Sequence, residues 1–134
     1  MSSTLTVTNL TATNLTDGAG TTSTFADINS GSAKAWVNFN GTGTIAARDS
    51  FNLSSLTDVS TARHAISLSS SMSSSNYSVT VFAGGTDNDI NCSLEATTNH
   101  TMTASEYRTV LRQNTTNTLE DMSYVFSSIH GDLA

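Results

Sequence analysis

Serine is so abundant that a Ser hydroxyl, His64 and an aspartate could meet as nucleophile, base and orienting acid. Nothing in the spacing supports that triad. The chain has no Gly-x-Ser-x-Gly elbow, phosphate-binding glycine loop, His-Glu-x-x-His or Cys-x-x-Cys, and it is expected not to be an enzyme. Asp87, Asp89 and Asn91 alternate like the first ligands of a calcium loop. Cys92, however, stands where the sharp turn needs glycine, and Thr98 where a bidentate glutamate belongs. A solvated hairpin is the better account. His64, His100 and His130 lack ligand spacing; only a threefold axis, multiplying one histidine by three, would make an axial metal site from them. The plainer reading is surface or hydrogen-bonded histidines, with no metal and no cofactor. Cys92, in an alternating segment, reads as a small core residue.

The aromatics offer a second kind of chemistry. Trp36, Phe39, Phe51, Tyr77, Phe82, Tyr107, Tyr124 and Phe126 could build a core or a sugar-stacking face. A β-domain needs its large residues inside first, so each is expected in the core or, for Trp36, at a subunit contact.

The elements that would position these groups read as strands. In "KAWVNFN" Trp36 and Asn38 share one face and Val37 and Phe39 point apart from them. Asn40-Gly41 follows, with Gly43 two residues on, which predicts a type I′ hairpin. "TIAARDSFNLSSLTD" then returns antiparallel, with a bend or bulge near Arg48 to Ser50. Further strands are predicted at "ARHAISLS", "YSVTVFAG", "DINCSLEATT", "EYRTVLRQ" and "SYVFSSIH", separated by Ser-, Gly- and Asn-rich turns. Helix is confined to one turn at "NTLEDMS", where Asn117 and Glu120 have capping spacing. Short strands at such regular spacing indicate an all-β sandwich or barrel, and the fold class expected over residues 31–134 is an antiparallel β-sandwich. Residues 1–30 read as an N-terminal stem or anchoring arm. There apolar residues alternate at Leu5 and Val7 and leucines recur at Leu5, Leu10 and Leu15 with a doubled "TNLT", so that Leu5, Val7, Leu10 and Leu15 would line a stem where identical segments pair or wind, and "DGAGTTS" reads as a turn and flexible junction.

Composition narrows the partners. The chain has 134 residues, of which 12% are charged, with eleven acidic side chains against five basic ones. Ser and Thr make up about a third of it, far above ordinary globular usage. A net charge of −6 with scattered cations disfavours nucleic acid. The lone cysteine excludes an internal disulfide, and no stretch is long and apolar enough for membrane insertion. The start "MSSTLTVTNL" lacks the features of a signal peptide, so synthesis in a cytoplasm is expected.

The segment "AKAWVNFNGTGTIAARDSFNLSSLTD" resembles a recurrent segment of tail-fibre and fibre-like virion proteins of marine and cyanobacterial bacteriophages. The matching positions are Lys34, Ala35, Trp36, Phe39, Gly41, Gly43, Arg48, Ser50, Phe51, Asn52, Ser54 and Ser55. "SSNYSVTVFA" and the ending "YVFSSIHGDLA", with Gly131 and Asp132, are similar to later strands of the same domain. "VSTARHAISLS" departs from it in lacking the usual glycine hairpin after Asp58. The resemblance implies a β-rich knob, a homotrimer, in the virion. Trp36, Phe39, Asn40, Gly41, Gly43 and Phe51 would supply its structural hairpin and core. With only some thirty residues ahead of the knob, a head-fibre or capsid-decorating protein or a short tail fibre fits, contacting other capsid or tail proteins. The alternative is a host-recognition module at a fibre tip that binds cell-surface polysaccharide, through loops such as Gly84 to Ile90 and Asn114 to Leu119.

Overall fold

The computed structural model describes residues 14–85, 90–95 and 100–134. Leu5, Val7 and Leu10 of the expected stem lie outside them, as do Asp87 and Asp89 of the acidic loop. The chain divides into two compact units, Met1–Ser32 and Ala33–Ala134.

In the first unit β1 (Asn14–Thr16) pairs antiparallel with β2 (Thr22–Thr24). The predicted turn between them is closed by Asp17, whose Oδ1 accepts the N–H groups of Ala19 at 2.9 Å and Thr21 at 2.8 Å. Gly20, at φ 86°, supplies the left-handed residue. Thr24 then caps α1 (Phe25–Gly31): its Oγ1 accepts the Asp27 N–H at 3.0 Å, and Asp27 accepts the Thr24 N–H at 2.9 Å. The helix is thus here and not at Asn117–Ser123, and it interrupts the expected extended stem. Leu15 lies on β1, 40% exposed.

The second unit is all-β. One sheet has the order β4 (Ala46–Phe51), β3 (Ala35–Asn40), β10 (Tyr124–His130), β7 (Ser78–Gly84). The other runs β5 (Leu53–Ser60), β6 (Arg63–Leu68), β9 (Glu106–Gln113), β8 (Ile90–Leu94). All pairings are antiparallel. Period-2 alternation puts Ala35, Val37, Phe39, Val125 and Ile129 of the first sheet against Ile66, Leu68, Tyr107 and Leu111 of the second, making the sandwich core. Met72, Tyr77, Ala62 and Met122 close its ends. A buried 2.7 Å hydrogen bond between the Tyr107 and Ser127 hydroxyls joins the two sheets.

Three local devices set this topology. The β3–β4 connection is not a two-residue type I′ turn, because residues 41–45 intervene and only Gly43 has positive φ, at 60°. Asn40 instead folds its side chain over the loop, donating to the Thr42 carbonyl at 2.7 Å and accepting the Thr42 hydroxyl at 2.8 Å. Gly41 is required by crowding: its N–H donates to the Met122 carbonyl at 2.9 Å, and a Cβ would stand 2.9 Å from that oxygen and 3.1 Å from the His64 ring. On β4, Asn38 opposes Asp49 and Phe39 opposes Ala47, so Arg48 is the extra residue of a bulge, within the predicted stretch. Asn52, at φ 57°, turns the chain from one sheet into the other. Its amide holds that corner, donating to the Lys34 and Ser70 carbonyls at 3.0 Å each and accepting the Ser70 N–H at 2.6 Å.

The glycine-free β5–β6 hairpin turns tightly at Thr61-Ala62, with Ala62 left-handed at φ 61° and fully buried. Around Asn117, itself at φ 55°, the chain makes an irregular turn closed by an Arg112–Leu119 bridge, so the helical turn predicted there does not form.

Candidate ligand-binding face

Alternation along β3 and β10 that buries Phe39 and Val125 must turn their neighbours outward. Phe51, expected in the core, is 52% exposed, Trp36, expected in the core or at a subunit contact, is 37% exposed, and Phe82 is 70% exposed. Tyr124 and Phe126 are exposed beside them. Five of the nine aromatic residues therefore sit on the outer face of the first sheet. The reason is parity. Trp36 lies an odd number of residues from Phe39, so the two cannot share a face of one regular strand.

Register arranges these rings into neighbouring rows. Phe51 opposes Trp36, which opposes Ser128, which opposes Thr80. In the next row Asp49 opposes Asn38, Asn38 opposes Phe126, and Phe126 opposes Phe82. Between the rows lies an open groove of about 220 Å³, walled by Trp36, Phe126 and Phe82 with the side chains of Asn38, Thr80 and Ser128 among them. Tyr124 extends the aromatic track, its ring 6.3 Å from that of Phe126 and within 10° of parallel. The bulge aims Arg48 onto Tyr124, with the guanidinium 4.3 Å from the ring centroid. The same guanidinium donates to the Asn38 amide oxygen at 3.3 Å and to the Ser123 carbonyl, which fixes it at the margin of the face.

The opposite outer face differs in kind. It carries an Arg63–Glu95 ion pair at 2.6 Å and an Arg108–Glu106 pair at 3.3 Å. On the aromatic face the charged side chains are Arg48 and Asp49, both on β4.

The other candidate residues are dispersed. His64 is fully buried on β6, its ring edge-to-face with Phe39 at a centroid distance of 5.2 Å. Neither ring nitrogen makes a hydrogen bond, and the Asp121 carboxylate is 4.0 Å away. Burial holds its pKa below the ordinary histidine value, outweighing the nearby Gly41 backbone and the Asp121 and Asp58 carboxylates. A neutral, enclosed imidazole cannot reach a substrate in solvent. His100 lies in the segment before β9, 3.9 Å from Glu106, and His130 ends β10. No group of three potential metal ligands occurs among the described residues. Cys92 lies on β8, partly buried against the core, and burial pushes its thiol up to about 12, which suppresses the reactive thiolate.

Sequence reasoning missed the outward aromatic face, although the alternation within "KAWVNFN" and "YVFSSIH" contained it. No helix among the described residues is long and apolar enough to cross a membrane. Comparison with known proteins gave no match: no family model, no curated protein and no solved structure matches the chain.

Proposed function

We propose that the chain is a non-enzymatic structural protein of a bacteriophage virion: a homotrimeric head-fibre or decoration protein, or a short tail fibre, that projects the β-sandwich as a knob. The observation that supports this reading is the work done by the residues that carry the fibre resemblance. Ala35 and Phe39 are core, Gly41 admits a close backbone approach, Gly43 is left-handed, Arg48 forms the bulge and Asn52 the sheet corner. A motif built of such positions specifies architecture and leaves the outer surface to vary. Gold-labelled antibody against the protein is expected to decorate intact virions at the capsid or the tail. Virions that assemble without incorporating the protein would overturn the proposal.

A host-recognition role is the second reading, and the exposed aromatic face supports it. Solvent-facing rings at this density are unusual on a surface that touches only water. Purified protein would then adhere to cells of the phage's host.

A further inference from the structure

We infer that the groove between Trp36, Phe126 and Phe82 binds a neutral polysaccharide, one sugar ring at a time, with the chain continuing across the strands over Phe51 and Tyr124. This inference rests on the recognition reading and gives it a ligand class and a site.

The chemistry of the lining selects the ligand. Its three aromatic rings offer apolar faces, on which the C–H side of a pyranose can stack. Asn38 adds an amide, and Thr80 and Ser128 add hydroxyls, so donors and acceptors stand beside the rings for sugar hydroxyls. None of these side chains ionises, which leaves nothing to hold a carboxylate, sulfate or phosphate in the groove. At about 220 Å³ the groove lies below the roughly 300–1,000 Å³ typical of sites for drug-sized ligands, so it suits a single small ring unit. The aromatic track beyond it then matters, because a polymer gains affinity by engaging several shallow positions at once.

Area and shape argue against a second copy as the occupant. Four strands at ~4.8 Å spacing and about six residues of length give a flat area of roughly 400 Å², half the ~800 Å² per partner of a standard interface. Two copies meeting face to face would set groove against groove. Asn38, Thr80 and Ser128 of both would then be desolvated at the bottom of an unfilled space, which is costly. A ligand with its own hydroxyls fills the space and pairs those groups.

The sole tryptophan lies in the site, so its fluorescence reports occupancy directly. The full chain would be run on native gels containing hydroxyethylcellulose, laminarin, galactomannan or dextran, with dextran sulfate as the anionic counterpart. Retardation by at least one neutral polymer is expected, with a shift of Trp36 emission on titration. Phe82→Ala and Phe126→Ala, at exposed positions, should each weaken that retardation at least tenfold with circular dichroism unchanged, whereas Ser93→Ala on the opposite sheet should not. No retardation by any neutral polymer, retardation by dextran sulfate alone, or retardation indifferent to Phe82→Ala and Phe126→Ala would overturn the inference. A sedimentation mass that falls on Phe82→Ala would also overturn it, by making a second copy the occupant. Host-cell adhesion that survives both substitutions removes the polysaccharide site and keeps the recognition reading. Neutral-polymer binding without host adhesion does the reverse.

Discussion

At the scale of single residues, burial separates side chains that sequence treats alike. Phe39 is fully buried and Trp36 is not, although the same strand pattern offered both to the core and Trp36 also to a subunit contact. Phe39→Ala should cost about 3–5 kcal/mol in denaturant unfolding, because it empties the centre of the first sheet's inner face. Trp36→Ala removes a ring already in contact with water and should cost far less, on the order of 1 kcal/mol. Equal losses for the two would mean that Trp36 is covered in the working assembly. His64 gives a pH dependence whose sign follows from its burial. Its folded pKa is depressed, so the unfolded chain binds the proton more readily, and stability is fully present above about 6.5 and falls as pH drops below it. Thermal unfolding between pH 7.5 and 5 should show the midpoint falling through this window, and His64→Gln should flatten that segment of the curve. A slope unchanged by the substitution would assign the acid sensitivity to other groups.

At the scale of elements, the strands were legible because Thr, Val and aromatic runs alternate between turn-forming residues, and β9 (Glu106–Gln113) coincides with its predicted segment. What could not be read was how the connections are made. Asn40-Gly41 has the composition of a type I′ turn, but its glycine answers to a neighbour distant in sequence, the Met122 carbonyl, which no local pattern reveals. The corner at Asn52 and the turn at Ala62 are likewise fixed by tertiary hydrogen bonds, to Lys34 and Ser70 in one case and from Leu111 in the other. α1 escaped notice because its capping box encloses too few apolar residues to mark a helical stripe; no residue of the helix is buried. The candidate face was legible only through parity, since composition alone puts every large ring inside. These distinctions make the two loop glycines a test of mechanism. Gly43→Ala meets open space and bears only the left-handed penalty, roughly 1–2 kcal/mol. Gly41→Ala has no such backbone penalty but drives a Cβ against the Met122 backbone, and should cost about 1–3 kcal/mol by displacing the β10 end of the loop. The signature that separates them lies in the tertiary signals. Near-ultraviolet ellipticity and protection of the residue-41 amide, whose N–H donates to the Met122 carbonyl, should change in Gly41→Ala and stay native in Gly43→Ala.

At the scale of the whole molecule, the described core and the proposed stem lie in different parts of the chain. Among the described residues, every member of the hydrophobic core cluster belongs to the unit Ala33–Ala134, and all eight strands of the two sheets pair within it. Removing residues 1–32 should therefore change the sandwich's unfolding free energy by no more than about 0.5 kcal/mol, the scale of changes away from a core. Assembly is expected to respond in the opposite way. If Leu5, Val7, Leu10 and Leu15 gather three copies, the full chain should sediment at about three times its 14.0 kDa mass, and residues 33–134 alone at the monomer mass. Replacing those four apolar residues by serine in the full chain should reproduce the monomer without shortening it, and the loss should be greatest at low concentration, as mass action requires. Salt should matter little, because only 12% of the residues are charged and a subunit contact built from leucines is not screened. A shortened chain that still sediments as a trimer would move the contact into the sandwich. The aromatic face would then be the first place to look for it, and Phe82→Ala would decide the matter.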